Sequence, residues 1–271
     1  MRKITSFPEY KEITKSAKEQ GYTVTNCYFM PNAIREKTDK NKLFVKNIDP
    51  GLLILEDESD FFRCYYFLPA EVIPSPVILD KKAVIELPYQ EQLTPAQKQQ
   101  VAQISGMGFQ LGRRSGMMLL PAENVIPLLQ NIPEETVLFA SQEDTGKVLS
   151  LLYDCFNPLY SYIPDEEEMF RNISENRVWI IRNEDQLAAV LNSRLEKNNA
   201  LISHVAVARE FRGRGYGKML VEVYHRAYKN QVRNFQHWVD LDNTSALNMY
   251  SAFGYQFTSR KANEYILLEN C

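Results

Sequence analysis

The chain has 271 residues, of which 45% are hydrophobic and 24% charged, a balance typical of a globular protein with one large or two modest domains. Its formal net charge of −3 disfavours bulk electrostatic binding to nucleic acid, and no apolar run reaches the length that spans a membrane. The cysteines form no CxxC pair and the first residues lack a signal-peptide core, so we expect a soluble cytoplasmic protein without a metal site.

The first half alternates helix and strand signals, with prolines between many of them. The predicted elements are a helix over residues 10–20, strands over 23–29, 52–55, 61–68 and 83–87, and a helix that begins after the Thr94 cap and ends near Gly106. Residues 119–133 are predicted to be a short helix or a loop, and residues 132–135 a domain boundary. The sequence therefore predicts an N-terminal α/β domain over residues 1–135.

The second half has clearer periodicity and predicts a second α/β domain over residues 136–271. Helices are expected over 142–156, from Pro164 onward, over 216–229 and over 244–253. Strands are expected over 177–182, 187–195, 201–208 and 235–241, and a hairpin over 256–268.

A glycine-rich segment follows the apolar strand 201–208 and precedes the helix 216–229. It reads Arg212-Gly213-Arg214-Gly215-Tyr216-Gly217. The first N–H groups of a helix have no partner inside the helix, and its dipole favours negative charge at that end. Glycines let the backbone approach a pyrophosphate closely, so the segment predicts an anion cradle.

Three features of the second half occur together in a fixed order. They are Val205-Ala206-Val207, then Arg212-x-x-Gly215-x-Gly217, then Asn243-x-x-Ala246-x-x-x-Tyr250-x-x-x-Gly254-Tyr255. In this combination the chain resembles the GCN5-related N-acetyltransferase (GNAT) family over roughly residues 137–271. The resemblance implies an α/β fold with a mixed sheet in which two neighbouring strands splay apart.

The resemblance also implies roles for individual residues. Acetyl-CoA would bind with its pyrophosphate on the main-chain N–H groups from Arg212 to Lys218, and the strand edge at Val205, Ala206 and Val207 would pair with the pantetheine arm. Asn243 matches the position that often contacts that arm. Tyr250 matches the general acid that protonates the leaving thiolate, and a phenol is protonated at neutral pH.

Simpler interpretations stay open for several of these residues. Tyr250 is also compatible with an ordinary half-buried helix tyrosine, and Asn243 with the N-cap of the following helix. His204 is either a base for the acceptor ammonium or a packed strand histidine. The acidic residues 166–168 fit the charge pattern of a helix N-terminus better than a catalytic role.

The sequence therefore predicts an N-acetyltransferase that moves the acetyl group of acetyl-CoA to a primary amine by direct attack in a ternary complex. No cysteine stands in the motifs, so no acetyl-enzyme is suggested. The alternative is a non-catalytic acyl-CoA-binding or regulatory module. A third class, RNA binding through the arginine–glycine segment, is disfavoured by the net acidity.

The first half echoes the second at one place. Gly108-Phe109-Gln110-Leu111 resembles Gly254-Tyr255-Gln256-Phe257, and each segment follows a predicted helix. This alignment places Gln97 opposite Asn243 and Ile104 opposite Tyr250, and no glycine cradle occurs in the first half. The N-terminal domain is thus either a degenerate copy that binds no CoA of its own or an unrelated α/β domain.

Overall fold

The computed structural model describes residues 1–129, 132–133 and 136–268. The chain divides into two compact units. Unit 1 holds Met1–Arg114 together with the chain from Lys261 onward, and unit 2 holds Ser115–Arg260. The predicted boundary between residues 135 and 136 falls beside residues 134–135, which lie outside the described residues, and it stays a prediction.

The first half contains β1 (Arg2–Lys3), α1 (Phe7–Glu19), β2 (Val24–Thr25), α2 (Pro31–Asp39), β3 (Leu43–Ile48), β4 (Gly51–Asp57), β5 (Phe61–Leu68), β6 (Lys82–Gln90), α3 (Pro95–Gly106) and β7 (Gln110–Pro121). The second half contains β8 (Leu138–Phe139), α4 (Thr145–Cys155), α5 (Glu166–Ser174), β9 (Val178–Asn183), β10 (Gln186–Glu196), β11 (Asn199–Val207), α6 (Tyr216–Tyr228), β12 (Asn234–Asp240), α7 (Thr244–Ala252) and β13 (Gln256–Leu267).

Unit 1 is built on a mixed sheet with strand order β1-β3-β4-β5-β6-β13. β3, β4 and β5 are antiparallel, whereas β5 and β6 are parallel and pair only from Phe61↔Lys82 to Arg63↔Val84. β2 pairs with the end of β5 at Leu68 and Phe67. Because β4 occupies one edge of β5, β2 must lie along the opposite edge, which is the edge that faces β6. The chain itself therefore fills the gap where β5 and β6 diverge.

Asn26, directly after β2, joins both strands of this gap. Its amide nitrogen donates to the carbonyls of Cys64 on β5 and Glu86 on β6, both at 3.3 Å. Its amide oxygen accepts from the N–H of Tyr66 at 2.9 Å. One side chain thus satisfies backbone groups that a continuous β5–β6 ladder would otherwise pair.

Unit 2 has strand order β7-β12-β11-β10-β9-β8, and β11 and β12 are its parallel pair. Adjacent residues Val190 and Leu191 of β10 pack into different apolar clusters, so helices cover both faces of this sheet. One cluster contains Leu220 and Tyr224 of α6. The mixed sheet flanked by helices confirms the predicted α/β class.

The two units repeat one order of elements. Apart from β2 in the first half and α6 in the second, a two-residue strand is followed by two helices, three antiparallel strands, a parallel strand, a helix and a final strand. Gly108 and Gly254 precede the final strands with φ of 94° and 89°. Unit 1 differs because residues 69–81, between β5 and β6, contain no helix corresponding to α6.

The hairpin predicted over residues 256–268 is wrong, because β13 is one continuous strand through residue 267. A tight two-residue hairpin turn needs backbone with positive φ, and no residue between Gln256 and Leu267 has it. The strand predicted over residues 23–29 is likewise shortened to β2. Residues 119–121 end β7, and residues 122–124 form a single 3-10 turn.

Candidate active site

The parallel strands β11 and β12 form a gap in the sheet of unit 2. They pair over four rungs, from Asn199↔Asn234 to Ile202↔His237, and no pairing with β12 follows along the rest of β11. β12 continues to Asp240 and keeps its pairing with β7 on its other edge. The backbone of β11 beyond Ile202 therefore has an open edge facing the diverging β12.

A β-bulge lies at the point of divergence. Adjacent residues Asn192 and Ser193 of β10 pair with His204 and Ile202 of β11, so Ser203 is the extra residue. A bulge bends its strand and redirects the side chains that follow it. Ile202 packs into the same apolar cluster as Tyr250, whereas the His204 ring lies edge-on to Phe156, with 5.0 Å between ring centroids.

The open edge leads into the predicted cradle. Gly213 and Gly215 adopt left-handed backbone with φ of 78° and 83°, and Gly215 is the N-cap of α6. Gly215 has no side chain, so the first N–H groups of α6 receive no acceptor from the cap residue. A Cβ at Gly213 or Gly215 would meet no atom within 4 Å, whereas one at Gly217 would meet Met249 Sδ at 3.3 Å.

Three cations surround the cradle, and among the described residues none forms an ion pair. The Arg212 guanidinium turns back toward β11, where Nε donates to the Val207 carbonyl at 3.1 Å and Nη2 lies 3.8 Å from Cys155 Sγ. Arg214 stacks over the Phe211 ring at 5.2 Å, and Lys218 is exposed on the first turn of α6. This arrangement suits an anionic ligand at the helix N-terminus.

Tyr250 lies on α7 at the closed end of the gap. It is 2% exposed, and its ring lies between the rings of His237 and Tyr255, with centroid distances of 4.1 and 5.4 Å. Burial raises the pKa of its phenol above the usual value, so the group is protonated at neutral pH. The geometry is compatible with a proton donor and with a packed aromatic residue.

His204 is 5% exposed and lies on the opposite side of β11 from the cluster that contains Tyr250. Burial lowers the pKa of its imidazole to about 4, while the Tyr162 backbone acts in the opposite direction. Its Nδ1 is buried and has no hydrogen-bond partner among the described residues. The side chain is therefore neutral at pH 7.

Asn243 caps α7, and its side-chain oxygen accepts from the Ala246 N–H at 3.1 Å. The residue is exposed, so the cap leaves the side chain accessible. The acidic residues Glu166, Glu167 and Glu168 form the first turn of α5 after the Asp165 cap, as the charge pattern predicts.

Two residues of this region were not predicted from the sequence. His237, on the last rung between β11 and β12, stacks on Tyr250. Asn192, opposite His204, is 1% exposed and its Oδ1 lacks a hydrogen-bond partner in the described part of the chain. Polar residues at strand positions that border a predicted site are the sequence signal that would have found both.

Two negative findings concern the described residues alone. They hold no cluster of three or more His, Cys, Asp or Glu side chains suited to a metal ion. None of their helices combines the length and the apolar character needed to cross a bilayer.

The sequence model of the Acetyltransferase (GNAT) family matches residues 146–255, whereas no curated protein matches the chain in sequence. Among solved structures, a GCN5-related N-acetyltransferase from Sphaerobacter thermophilus shares 13% identity with a TM-score of 0.56, covering 88% of this chain and 85% of that chain. A GCN5-related N-acetyltransferase from Kribbella flavida shares 14% identity with a TM-score of 0.50, covering 92% of each chain.

A tandem GNAT protein from the clavulanic acid biosynthesis pathway shares 14% identity with a TM-score of 0.50, covering 80% of this chain and 78% of that chain. At these identities the structures establish the fold alone. The fold of these structures, the strand gap and the glycine cradle all agree with the match to the family model. Residues 146–255, which lie within unit 2, therefore match the Acetyltransferase (GNAT) family.

Proposed function

We propose that this protein is an acetyl-CoA-dependent N-acetyltransferase that transfers the acetyl group to a primary amine by direct attack in a ternary complex. The observation that carries the proposal is the gap between β11 and β12, which opens beyond Ile202↔His237 and leads to the left-handed glycines before α6. An extended thioester ligand with an anionic end matches an open strand edge that leads to a helix N-terminus.

Acetyl-CoA would lie with its pyrophosphate at the N–H groups between Arg212 and Lys218. Arg214 and Lys218 would add positive charge there, and Arg212 would hold the Val207 end of the strand, to which its Nε donates. The pantetheine arm would pair with backbone at Val205 to Val207. Asn243 would contact the arm at the start of α7.

The thioester would then lie at the closed end of the gap, next to Tyr250. The amine nitrogen attacks the thioester carbonyl carbon, the new N–C bond forms, and the C–S bond breaks. A backbone N–H of the open strand edge would stabilise the carbonyl oxygen as it gains negative charge. The departing thiolate takes the phenol proton of Tyr250, which burial keeps protonated.

His204 is the candidate acceptor for the proton lost by the amine. It approaches from the sheet face on which Phe156 packs, away from the cluster that contains Tyr250. With a pKa of about 4 it is unprotonated at pH 7 and can accept a proton, although it is a weaker base than free imidazole.

Direct attack agrees with the position of the Cys155 thiol. Cys155 Sγ lies 3.7 Å from the Val207 carbonyl, at the cradle end of β11. Five residues of extended strand, about 16 Å, separate Val207 from Ile202 at the closed end. A thioester beside Tyr250 would be too far from this thiol to form an acetyl-enzyme.

The structure of unit 1 argues that each chain has a single cofactor site, which lies in unit 2. Its corresponding gap is filled by β2 and Asn26, and residues 69–81 supply no helix N-terminus. Calorimetric titration should therefore give one equivalent of acetyl-CoA per chain. Thiol release with a panel of small amines, amino acids and peptides then tests the transfer itself.

Replacing Tyr250 with Phe tests the acid. The variant keeps the aromatic ring and its packing, so the acetyl-CoA Kd should stay within about twofold while kcat falls by about 10²–10⁴-fold. The measurement compares both constants with those of the wild type, using any amine that supports turnover. An unchanged kcat would mean that Tyr250 is a packing residue and not the proton donor.

Failure of the wild type to turn over with every amine, combined with tight acetyl-CoA binding, would favour the non-catalytic binding module. Failure to bind acetyl-CoA would overturn both functions.

A further inference from the structure

His237 of β12 lies where the pairing of β11 and β12 ends. It lies on the last rung between β11 and β12, opposite Ile202, so its side chain is at the closed end of the gap. Its ring and that of Tyr250 are tilted by 32°, with centroids 4.1 Å apart. The site proposed above uses Tyr250 and gives His237 no role.

Both ring nitrogens of His237 are buried, and neither forms a hydrogen bond of normal geometry to a described residue, although the Ile202 backbone lies within reach of the ring. The groups that face it are the Tyr250 ring, the Ile202 backbone and, at longer range, His204. Burial lowers the pKa of the imidazole to about 4, although the Ile202 backbone opposes this shift, so the ring is neutral at pH 7. A neutral imidazole presents one donor and one acceptor.

Two buried ring nitrogens that lack a well-formed hydrogen bond are unusual in one side chain of a native protein. A phenylalanine at this position would stack on Tyr250 without that cost. His225, which is buried and packs against Tyr255, differs because its Nε2 is hydrogen-bonded to the Tyr255 hydroxyl at 2.9 Å. The nitrogens of His237 therefore suit a polar ligand better than they suit packing.

We propose that His237 is a ligand-binding residue of the acyl-transfer site, whose ring nitrogens hydrogen-bond to the amide or thioester groups of acetyl-CoA at the closed end of the gap. This inference rests on the proposed function, because it needs the thioester arm to enter between β11 and β12. The arm carries amide N–H donors together with amide and thioester carbonyl acceptors, which match the one donor and one acceptor of the ring.

The experiment compares His237→Phe with His225→Phe. Phe at position 237 keeps an aromatic ring against Tyr250 and removes both ring nitrogens, so the melting temperature of the free protein should not fall. The acetyl-CoA Kd should rise by about 10-fold, the effect of losing one or two hydrogen bonds. Phe at position 225 leaves the Tyr255 hydroxyl without its partner, so the melting temperature should fall while the Kd stays unchanged.

A second measurement uses the wild type alone. Imidazole nitrogen resonances of His237 should shift when acetyl-CoA is added, whereas those of His225 should not. An unchanged Kd for His237→Phe, or His237 resonances that do not respond, would overturn the inference while leaving the proposed function intact. If the wild type bound no acetyl-CoA, the inference and the proposed function would both be wrong.

Discussion

Gly213 and Gly215 both have left-handed backbone angles in the loop before α6, with φ of 78° and 83°. An L-residue with a side chain is strained there, and its Cβ would enter space that is free of protein atoms. Gly217 is different, because its Cβ would press on Met249 Sδ at 3.3 Å and touch Val205 and Val207. The first two glycines shape the ligand-facing loop, and the third permits close packing of helix on strand.

Replacing Gly215 with Ala should weaken acetyl-CoA binding by at least about 10-fold, because the new methyl group and the altered loop would obstruct the pyrophosphate. Gly146 in α4 is the matched control: its backbone has no positive φ, and an added Cβ would also meet nothing within 4 Å. Gly146→Ala should leave binding unchanged. Calorimetry on both variants measures the acetyl-CoA Kd. Equal Kd values for the two variants would mean that the glycine cradle does not bind acetyl-CoA. Gly217→Val is a poorer test, since it disturbs packing as well.

At the level of single elements, β2 and Asn26 fill the gap between β5 and β6 in unit 1. β5 and β6 diverge after three rungs, and the backbone groups left open are partly satisfied by the Asn26 amide. Because the amide both donates and accepts, neither a carboxylate nor an apolar side chain can replace it fully.

Asn26→Asp should therefore lower the free energy of unfolding by about 2–3 kcal/mol. The carboxylate still accepts from the Tyr66 N–H, but it cannot donate to the Cys64 and Glu86 carbonyls and would face their oxygen atoms. Asn32→Asp is the matched control, since Asn32 is exposed and its oxygen accepts from Arg35, an interaction that a carboxylate keeps. Denaturant unfolding of both variants measures the difference. Equal stabilities would mean that the gap does not depend on Asn26.

Elements with local signals were predictable from the sequence. α3 begins after the Thr94 cap, with Pro95 in its first turn and Gln97 completing a capping box, and β5 has the predicted bounds. α2 was not predicted, because Pro31 at its start is one of the prolines that lie between the predicted elements, although proline is also favoured in the first turn of a helix. The cradle was predicted from its glycines. The bulge at Ser203 was not, because it depends on how β10 and β11 pair.

On the scale of the whole molecule, the final strands of the two repeats change places. The position next to β12 in unit 2 is held by β7 of the first half, and the position next to β6 in unit 1 is held by β13 of the second half. Sequence patterns identify strands but do not determine which distant strands pair, so this arrangement was beyond the sequence analysis. It explains why the chain passes from unit 1 to unit 2 within β7, after Arg114, and returns to unit 1 within β13, after Arg260.

This exchange leads to a prediction about fragments of the chain. Seven residues of β7 pair with β12, from Ser115↔Asp240 to Pro121↔Asn234, and Met118 and Leu120 belong to the same apolar cluster as Tyr250. A fragment of residues 136–271 lacks them, so the edge of β12 and part of the core would be exposed. Exposed, unpaired strand edges promote association.

A fragment of residues 115–260 keeps the whole of unit 2, including those seven residues. We expect it to unfold cooperatively, to migrate as a monomer and to bind acetyl-CoA within about 10-fold of the full chain. The 136–271 fragment should aggregate or lack a cooperative transition. Size-exclusion chromatography, thermal unfolding and calorimetry distinguish the two. A monomeric 136–271 fragment with full acetyl-CoA affinity would show that unit 2 does not need the strand from the first half, and that the cofactor site is complete without it.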